Sequence, residues 1–347
     1  MFVPPKLVRR LVIAPIVLLV ELAIVVASPL PALVAALASP LTGGAWRPLR
    51  AVGITVAFLA RHLATMLGCL ALWAASGFGL RACSPRMQDA HHALLRWFVS
   101  GVNRWITRVA RVELRVRESD EADELLSSGR RPVIVLSRHA GEGDSLLVLH
   151  ELLCRHRRRA RIVLHEGLQL DPVLDVLGHR LAWRFVDPRG GDTEVEIAAM
   201  ARGLPGDGAV LIFPEGGNFS EQRRLRGIER LQSRGHHEEA AWARGMEHVS
   251  APRPGGALAA IEAAPDADVV FVGHDGMPDG FGELWRMLLA RTTVELRMWA
   301  VHADEIPDDR DEQIDWLFGE WCTLDRWLHE RQSDAAGDDR HRPAAAH

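Results

Sequence analysis

Two short segments carry residue types that could do chemistry together. The first is Ser137-Arg138-His139-Ala140-Gly141-Glu142-Gly143-Asp144. It places a carboxylate five residues after an imidazole, with two glycines that let the intervening loop fold tightly. A carboxylate on one ring nitrogen fixes the tautomer and raises the basicity of the other. Such a pair can take a proton from a hydroxyl, a role worth about 10² to 10⁴ in rate. The second segment is Phe213-Pro214-Glu215-Gly216-Gly217-Asn218-Phe219-Ser220. Pro214 must end any preceding sheet ladder, and the glycines let a ligand approach the backbone closely. Each segment also has a plain structural reading, Asp144 as a helix N-cap and the second segment as a strand-to-loop turn. No G-x-S-x-G motif is present, so an activated serine lacks its usual setting.

The elements around these segments alternate. Val112, Leu114 and Val116 recur at strand period, and Val133–Leu136, Ile162–Leu164, Trp183–Val186, Ala209–Phe213 and Val269–Val272 read as further strands. Thr293–Ala300 alternates and reads as an edge strand. Helical stretches lie between them at 121–128, 145–154, 172–181, 194–202 and 257–264. The pattern predicts an α/β fold with a largely parallel central sheet flanked by helices. In such sheets ligands bind at the carboxyl ends of the strands, where both segments fall. Ile314, Leu317, Phe318, Trp321, Leu324, Trp327 and Leu328 recur at helical spacing and predict a helix packed on the domain, with a Trp-rich membrane-lying helix as the alternative.

The first 80 residues differ in kind. An apolar stretch from Leu11 to Leu37 follows Lys6, Arg9 and Arg10, and a second runs from Val52 to Leu80. Leu11–Ser28 as a helix would be about 27 Å long, close to the bilayer core of about 30 Å. A signal peptide shares these features, but two closely spaced apolar stretches fit a helical hairpin better, spanning or partly embedded. Glu21, Arg61 and His62 are costly deep in lipid and point to a shallow pair or to helices packed on protein. Basic residues flank the outer ends, which places the main domain on the cytoplasmic side of a membrane. The expected division is 1–80 as a membrane-associated helical hairpin, 81–331 as the α/β domain, and 332–347 as a disordered, polar tail.

Composition removes other classes. The 347 residues carry 41 basic and 45 acidic side chains, a formal charge of −4 that argues against a dedicated nucleic-acid binder. Apolar residues are 48% of the chain and charged residues 25%, which excludes a mostly disordered protein. Cys69, Cys83, Cys154 and Cys322 are widely separated and offer no zinc-ligand spacing, so reduced thiols and no metal are expected. The run Arg155, Arg157, Arg158, Arg159 and Arg161 reads as a solvated face or as an attractor of anionic lipid.

Taken together and in this order, the two segments resemble the glycerolipid acyltransferase superfamily, whose best-known members are the 1-acyl-glycerol-3-phosphate acyltransferases. His139 and Asp144 match its His-x4-Asp block. Phe185-Val186-Asp187-Pro188-Arg189 resembles the second block, and Phe213-Pro214-Glu215-Gly216 matches the third. The resemblance implies an acyl transfer in which Asp144 orients His139 and His139 deprotonates the acceptor. It implies substrate-binding roles for Phe185, Asp187, Arg189, Phe213, Pro214, Glu215, Gly216 and Gly217. The donor would be acyl-CoA or acyl carrier protein, used as a co-substrate, with no bound cofactor. The acceptor would be a lysophospholipid, first of all 1-acyl-sn-glycerol-3-phosphate. Two departures stand out. Ser137-Arg138 replaces the usual Asn, and the Thr-Arg-Ser that usually follows FPEG is absent, which removes a candidate phosphate ligand. Arg189, Arg223, Arg224 or Arg226 could replace it. A long charged insert, 221–249, leads to Pro252-Arg253-Pro254-Gly255-Gly256, an arrangement similar to the lysocardiolipin and lysophosphatidylinositol acyltransferase branch. Arg253 there reads as a contact to donor or phosphate, or as part of a rigid turn.

Overall fold

The computed structural model describes residues 3–42, 45–141, 143–187, 192–278, 281–289 and 291–341. Four helices come first: α1 (Lys6–Ala27), α2 (Pro29–Ala38), α3 (Arg47–Ala75) and α4 (Pro85–Ala110). The body then alternates: β1 (Val112–Glu118), α5 (Asp120–Ser128), β2 (Val133–Ser137), α6 (Asp144–His150), β3 (Arg159–His165), α7 (Pro172–Arg180), β4 (Arg184–Val186), α8 (Thr193–Ala201) and β5 (Gly208–Ile212). It closes with α9 (Glu221–Ser233), α10 (His237–Gly245), α11 (Pro254–Ala263), β6 (Asp268–Asp275), α12 (Phe281–Met287), β7 (Thr292–Val301) and α13 (Arg310–His341).

The strands form one seven-stranded sheet in the order β1-β7-β6-β2-β5-β3-β4. Every pairing is parallel except β6 with β7. The α/β expectation therefore holds, with one correction. β7 is not an edge strand: it sits between β6 and β1, and the edges are β1 and β4. Its alternation arises because one half of its residues packs under α4 and α5 while the other half meets α13.

Strand period builds the layers. Val133 and Val135 of β2 face a core shared with α4, α6 and α7, while Ile134 and Leu136 face a second core made with α8, α11 and α13. Trp321, Phe318 and Leu317 of α13 are completely buried, so the Trp-rich helix packs on the domain rather than lying on a membrane. The helix runs on to His341, into the segment expected to be disordered; residues 342–347 lie outside the described residues.

The N-terminal helices present an unequal surface. Leu11, Leu19, Val26, Leu30, Leu37 and Leu67 are exposed, an apolar display that water would not tolerate without a cover. Their polar residues turn inward instead. Arg9 and Arg10 hold Asp175 of α7 at 2.7 and 2.8 Å. Three turns further along α1, Glu21 bonds His62 of α3 at 2.9 Å, and His62 reaches Asp171 at 3.2 Å. Asp171 in turn caps α7 through the Leu174 N–H. Since Arg9 and Glu21 lie about 18 Å apart on the helix, α1 runs along the domain rather than away from it. Asp175 is 2% exposed, so Asp175→Ala should lower stability by about 3–5 kcal/mol, leaving two guanidiniums without their anion. Thermal melting in detergent measures this; a shift within error would make the pair incidental.

Much of the basic run 155–161 is tied into the fold. Arg158 is 1% exposed and donates to the carbonyls of Leu126, Arg131 and Gly206, closing the end of α5. Arg159 pairs with Asp89 and Asp207, and Arg155 with Glu118. Arg155 and Arg157 stay exposed, so a solvated face describes that part of the run and not Arg158. All four cysteines are free thiols.

Candidate active site

β2 ends at Ser137 in the middle of the sheet, and the loop that follows carries His139 to its carboxyl end. The turn back into α6 needs Gly143, whose φ is +96°. A Cβ there would also press on Met277. Asp144 opens α6, 1% exposed, and its Oδ2 receives His139 Nδ1 at 2.8 Å and the N–H groups of Ala140 and Gly141 at 2.9 and 3.2 Å. Its Oδ1 accepts the Ser145 hydroxyl at 3.1 Å. Burial works against ionising Asp144, but the bonds from His139 and His274 outweigh it and hold the carboxyl well below the usual carboxylate range.

An ionised Asp144 can only accept, so Nδ1 of His139 carries the proton and Nε2 offers a lone pair. Among the described residues Nε2 has no partner. The ring is 22% exposed and rests on Phe213 with centroids 4.6 Å apart. Ser137 is fully buried with its hydroxyl on the Arg138 carbonyl. Ser145 is held by Asp144. Neither serine is placed as a nucleophile.

The FPEG turn supports this loop from the next strand. β5 ends before Phe213, and Glu215 turns into the protein rather than outward, at 5% exposure. Its Oε1 accepts the His139 N–H at 3.0 Å and its Oε2 the Ser250 N–H at 2.9 Å. Burial pushes its carboxyl up to about 7, against the pull of those two N–H groups and of Arg138. Phe219 N–H bonds the His139 carbonyl at 2.7 Å, and Arg253 N–H bonds the Pro214 carbonyl at 2.8 Å. His139, Asp144, Phe213, Pro214, Glu215, Gly216, Gly217 and Arg253 thus form one constellation. Gly216 takes φ +72°, and a Cβ on it would stand 2.9 Å from Cζ of Arg253. Gly216→Ala should therefore cost about 1–2 kcal/mol of stability and displace the Arg253 guanidinium. Melting and acceptor kinetics together read both effects; unaltered values would show that the turn tolerates a side chain.

The second block lies elsewhere on the same edge. Phe185 is on β4, three strands or about 14 Å from β2, stacked on His179 with centroids 5.3 Å apart. Asp187 follows β4 and is exposed. Arg189 lies outside the described residues. Two residues missed in the sequence complete the site. His274, at the end of β6 and fully buried, sits 3.5 Å from Asp144 Oδ2 and 3.2 Å from the Arg138 carbonyl. Arg138 donates to the carbonyls of His274 and His248 at 2.6 and 3.0 Å and so ties β2, β6 and the 246–250 loop together. No motif flags His274; a His at a predicted strand's carboxyl end is the sole available signal.

No curated protein and no solved structure matches the chain. Residues 113–271 match the family model described as Acyltransferase, a span that begins in β1 and ends in β6 and holds every residue of the constellation. With that match around a His-x4-Asp pair and an FPEG turn in contact, residues 113–271 are an acyltransferase domain of the glycerolipid acyltransferase family.

Proposed function

We propose that the chain moves a fatty acyl group from an acyl thioester, either acyl-CoA or acyl carrier protein, to the free hydroxyl of a lysophospholipid. The first acceptor is 1-acyl-sn-glycerol-3-phosphate, giving phosphatidic acid. The observation that carries this reading is the His139–Asp144 pair, with Nε2 unengaged at the open carboxyl end of the sheet beside the FPEG turn.

The steps use only side chains of the site and the two substrates. Nε2 of His139 takes the hydroxyl proton as the oxygen attacks the thioester carbonyl carbon. Asp144 stabilises the imidazolium that forms. The tetrahedral intermediate collapses, the C–S bond breaks, and the imidazolium returns the proton to the leaving thiolate. The acceptor is itself the nucleophile, so no acyl-enzyme is required. Glu215 is a positioning residue here, fixing the backbone of His139 from behind.

The apolar face of α1–α3 supports work at a membrane. With Arg9, Arg10, Glu21 and His62 all engaged inward, we read these helices as lying in one leaflet with the domain at the cytoplasmic surface. A second reading, an acceptor with a larger head group of the lysophosphatidylinositol or lysocardiolipin type, is favoured by the folded insert α9–α10 and by the Arg253 turn bonded to FPEG.

The test is thiol release from acyl-CoA by the detergent-purified protein, with and without a panel of lysophospholipids, repeated with acyl carrier protein as donor. Release that needs one lysolipid supports the proposal and names the acceptor. Release without any lysolipid would make the protein a thioester hydrolase. None with either donor would leave a lipid-binding protein that keeps the fold.

A further inference from the structure

Beyond Gly217 the chain enters α9, capped by the Ser220 hydroxyl on the Arg223 N–H. Arg223, Arg230 and Arg234 follow at spacings of seven and four. At 100° per residue they share an arc of about 40° and form a stripe about 16 Å long. The stripe faces the FPEG turn. A Cβ on Gly217 would run into the Arg223 guanidinium, just as one on Gly216 would meet Arg253. Burial first, and then the like charges of Arg230, Arg223 and Arg234, push the Arg253 pKa down, which locates all four cations in one field.

These guanidiniums differ from the other arginines nearby. Arg224, about 100° round α9 from Arg223, is tied to Glu221 and to the Met246 carbonyl. Arg138 and Arg158 are consumed by carbonyls. Among the described residues the side chains of Arg223, Arg230, Arg234 and Arg253 make no hydrogen bond and no ion pair. Like charges a turn apart destabilise a helix by a few tenths of a kcal/mol each, so the cluster is unfavourable until an anion enters it. Guanidinium forks suit phosphate oxygens, which they bind in pairs.

We propose that Arg223, Arg230, Arg234 and Arg253 form a phosphate-ester site that seats the head group of the acceptor beside His139. This rests on the reading of the protein as a lysophospholipid acyltransferase. A phosphomonoester carries about −1.5 to −2 charges, and Arg223 with Arg253, closest to the glycines, holds the first phosphate. Arg230 and Arg234 continue the field outward, where a head group with a second phosphate gains and one without it does not.

The experiment compares the full chain in detergent with an Arg230→Gln/Arg234→Gln variant and with Arg223→Gln, each checked for folding by melting. Calorimetric binding of inorganic pyrophosphate comes first and needs no turnover. The variants should bind it at least about ten-fold more weakly, as expected for losing a charge-assisted bond, and added salt should weaken wild-type binding. Equal binding by wild type and variants overturns the site. Kinetics then name the source. KM should rise about ten-fold more for lysophosphatidate and monolysocardiolipin than for 1-acylglycerol, and the double variant should affect monolysocardiolipin most. A rise confined to acyl-CoA, absent with an acyl N-acetylcysteamine thioester, would assign the site to the donor's phosphates and overturn the acceptor proposal. Weakened pyrophosphate binding in a protein that transfers no acyl group would overturn the proposed reaction but uphold the phosphate-ester site.

Discussion

His139→Ala is expected to lower acyl transfer by about 10² to 10⁴ while leaving the fold intact. The ring is partly exposed, and its one side-chain bond is to Asp144, so its removal opens space at the surface rather than a core cavity. What disappears is the lone pair on Nε2, and with it the means of making an alkoxide at neutral pH. Asp144→Asn should cost nearly as much by another route. Oδ2 accepts from Nδ1 and from two backbone N–H groups. An amide nitrogen at that position would meet three donors, and an amide oxygen there would no longer carry the charge that steadies the imidazolium. The checks are thiol release per minute under saturating donor and acceptor, with melting as the control. Turnover near wild type in a folded His139→Ala protein would remove His139 from the chemistry. Loss of melting in Asp144→Asn without loss of rate per folded molecule would make Asp144 a structural cap.

Much of this site is legible because its parts are local. The imidazole and carboxylate stand five residues apart, and tight glycines join a buried strand to a helix start, so the pairing can be read from spacing alone. The FPEG turn is local too. What spacing cannot show is which strand lies next to which. His274 reaches Asp144 across 130 residues because β6 neighbours β2 in the sheet, and Arg138 bridges a similar distance. β7 reads as an edge because its residues alternate, yet a strand covered by helices on both faces alternates as well when its two coverings differ. Likewise a dense arginine run reads as a wet surface, whereas Arg158 is drawn inside by the carbonyls at the end of α5. The direction of Glu215 was equally hidden. A carboxylate in a glycine-rich turn suggests reach toward a ligand, and here two N–H groups turn it inward.

That inward carboxylate predicts a pH dependence of stability with a definite sign. The folded pKa of Glu215, about 7, lies above its ordinary value of 4.5. The native state therefore holds a proton between these values that the unfolded chain has released. Its contribution is complete below pH 4.5 and is lost as pH rises through 7. The full swing is on the order of 3 kcal/mol. Wild-type protein should accordingly melt at a lower temperature at pH 8 than at pH 5.5, once other groups are matched by comparison with Glu215→Gln, which cannot titrate and should flatten the slope. Glu215→Ala should be worse than either at every pH. It orphans the N–H groups of His139 and Ser250, at about 1–3 kcal/mol each, and releases the His139 backbone that the catalytic pair depends on. Differential scanning fluorimetry from pH 5 to 8.5 on the three proteins, alongside kcat, separates the effects. Identical pH slopes in wild type and Glu215→Gln would mean that Glu215 is ionised throughout, held so by its two N–H donors. The brace would then act as a fixed anion behind His139 at every working pH.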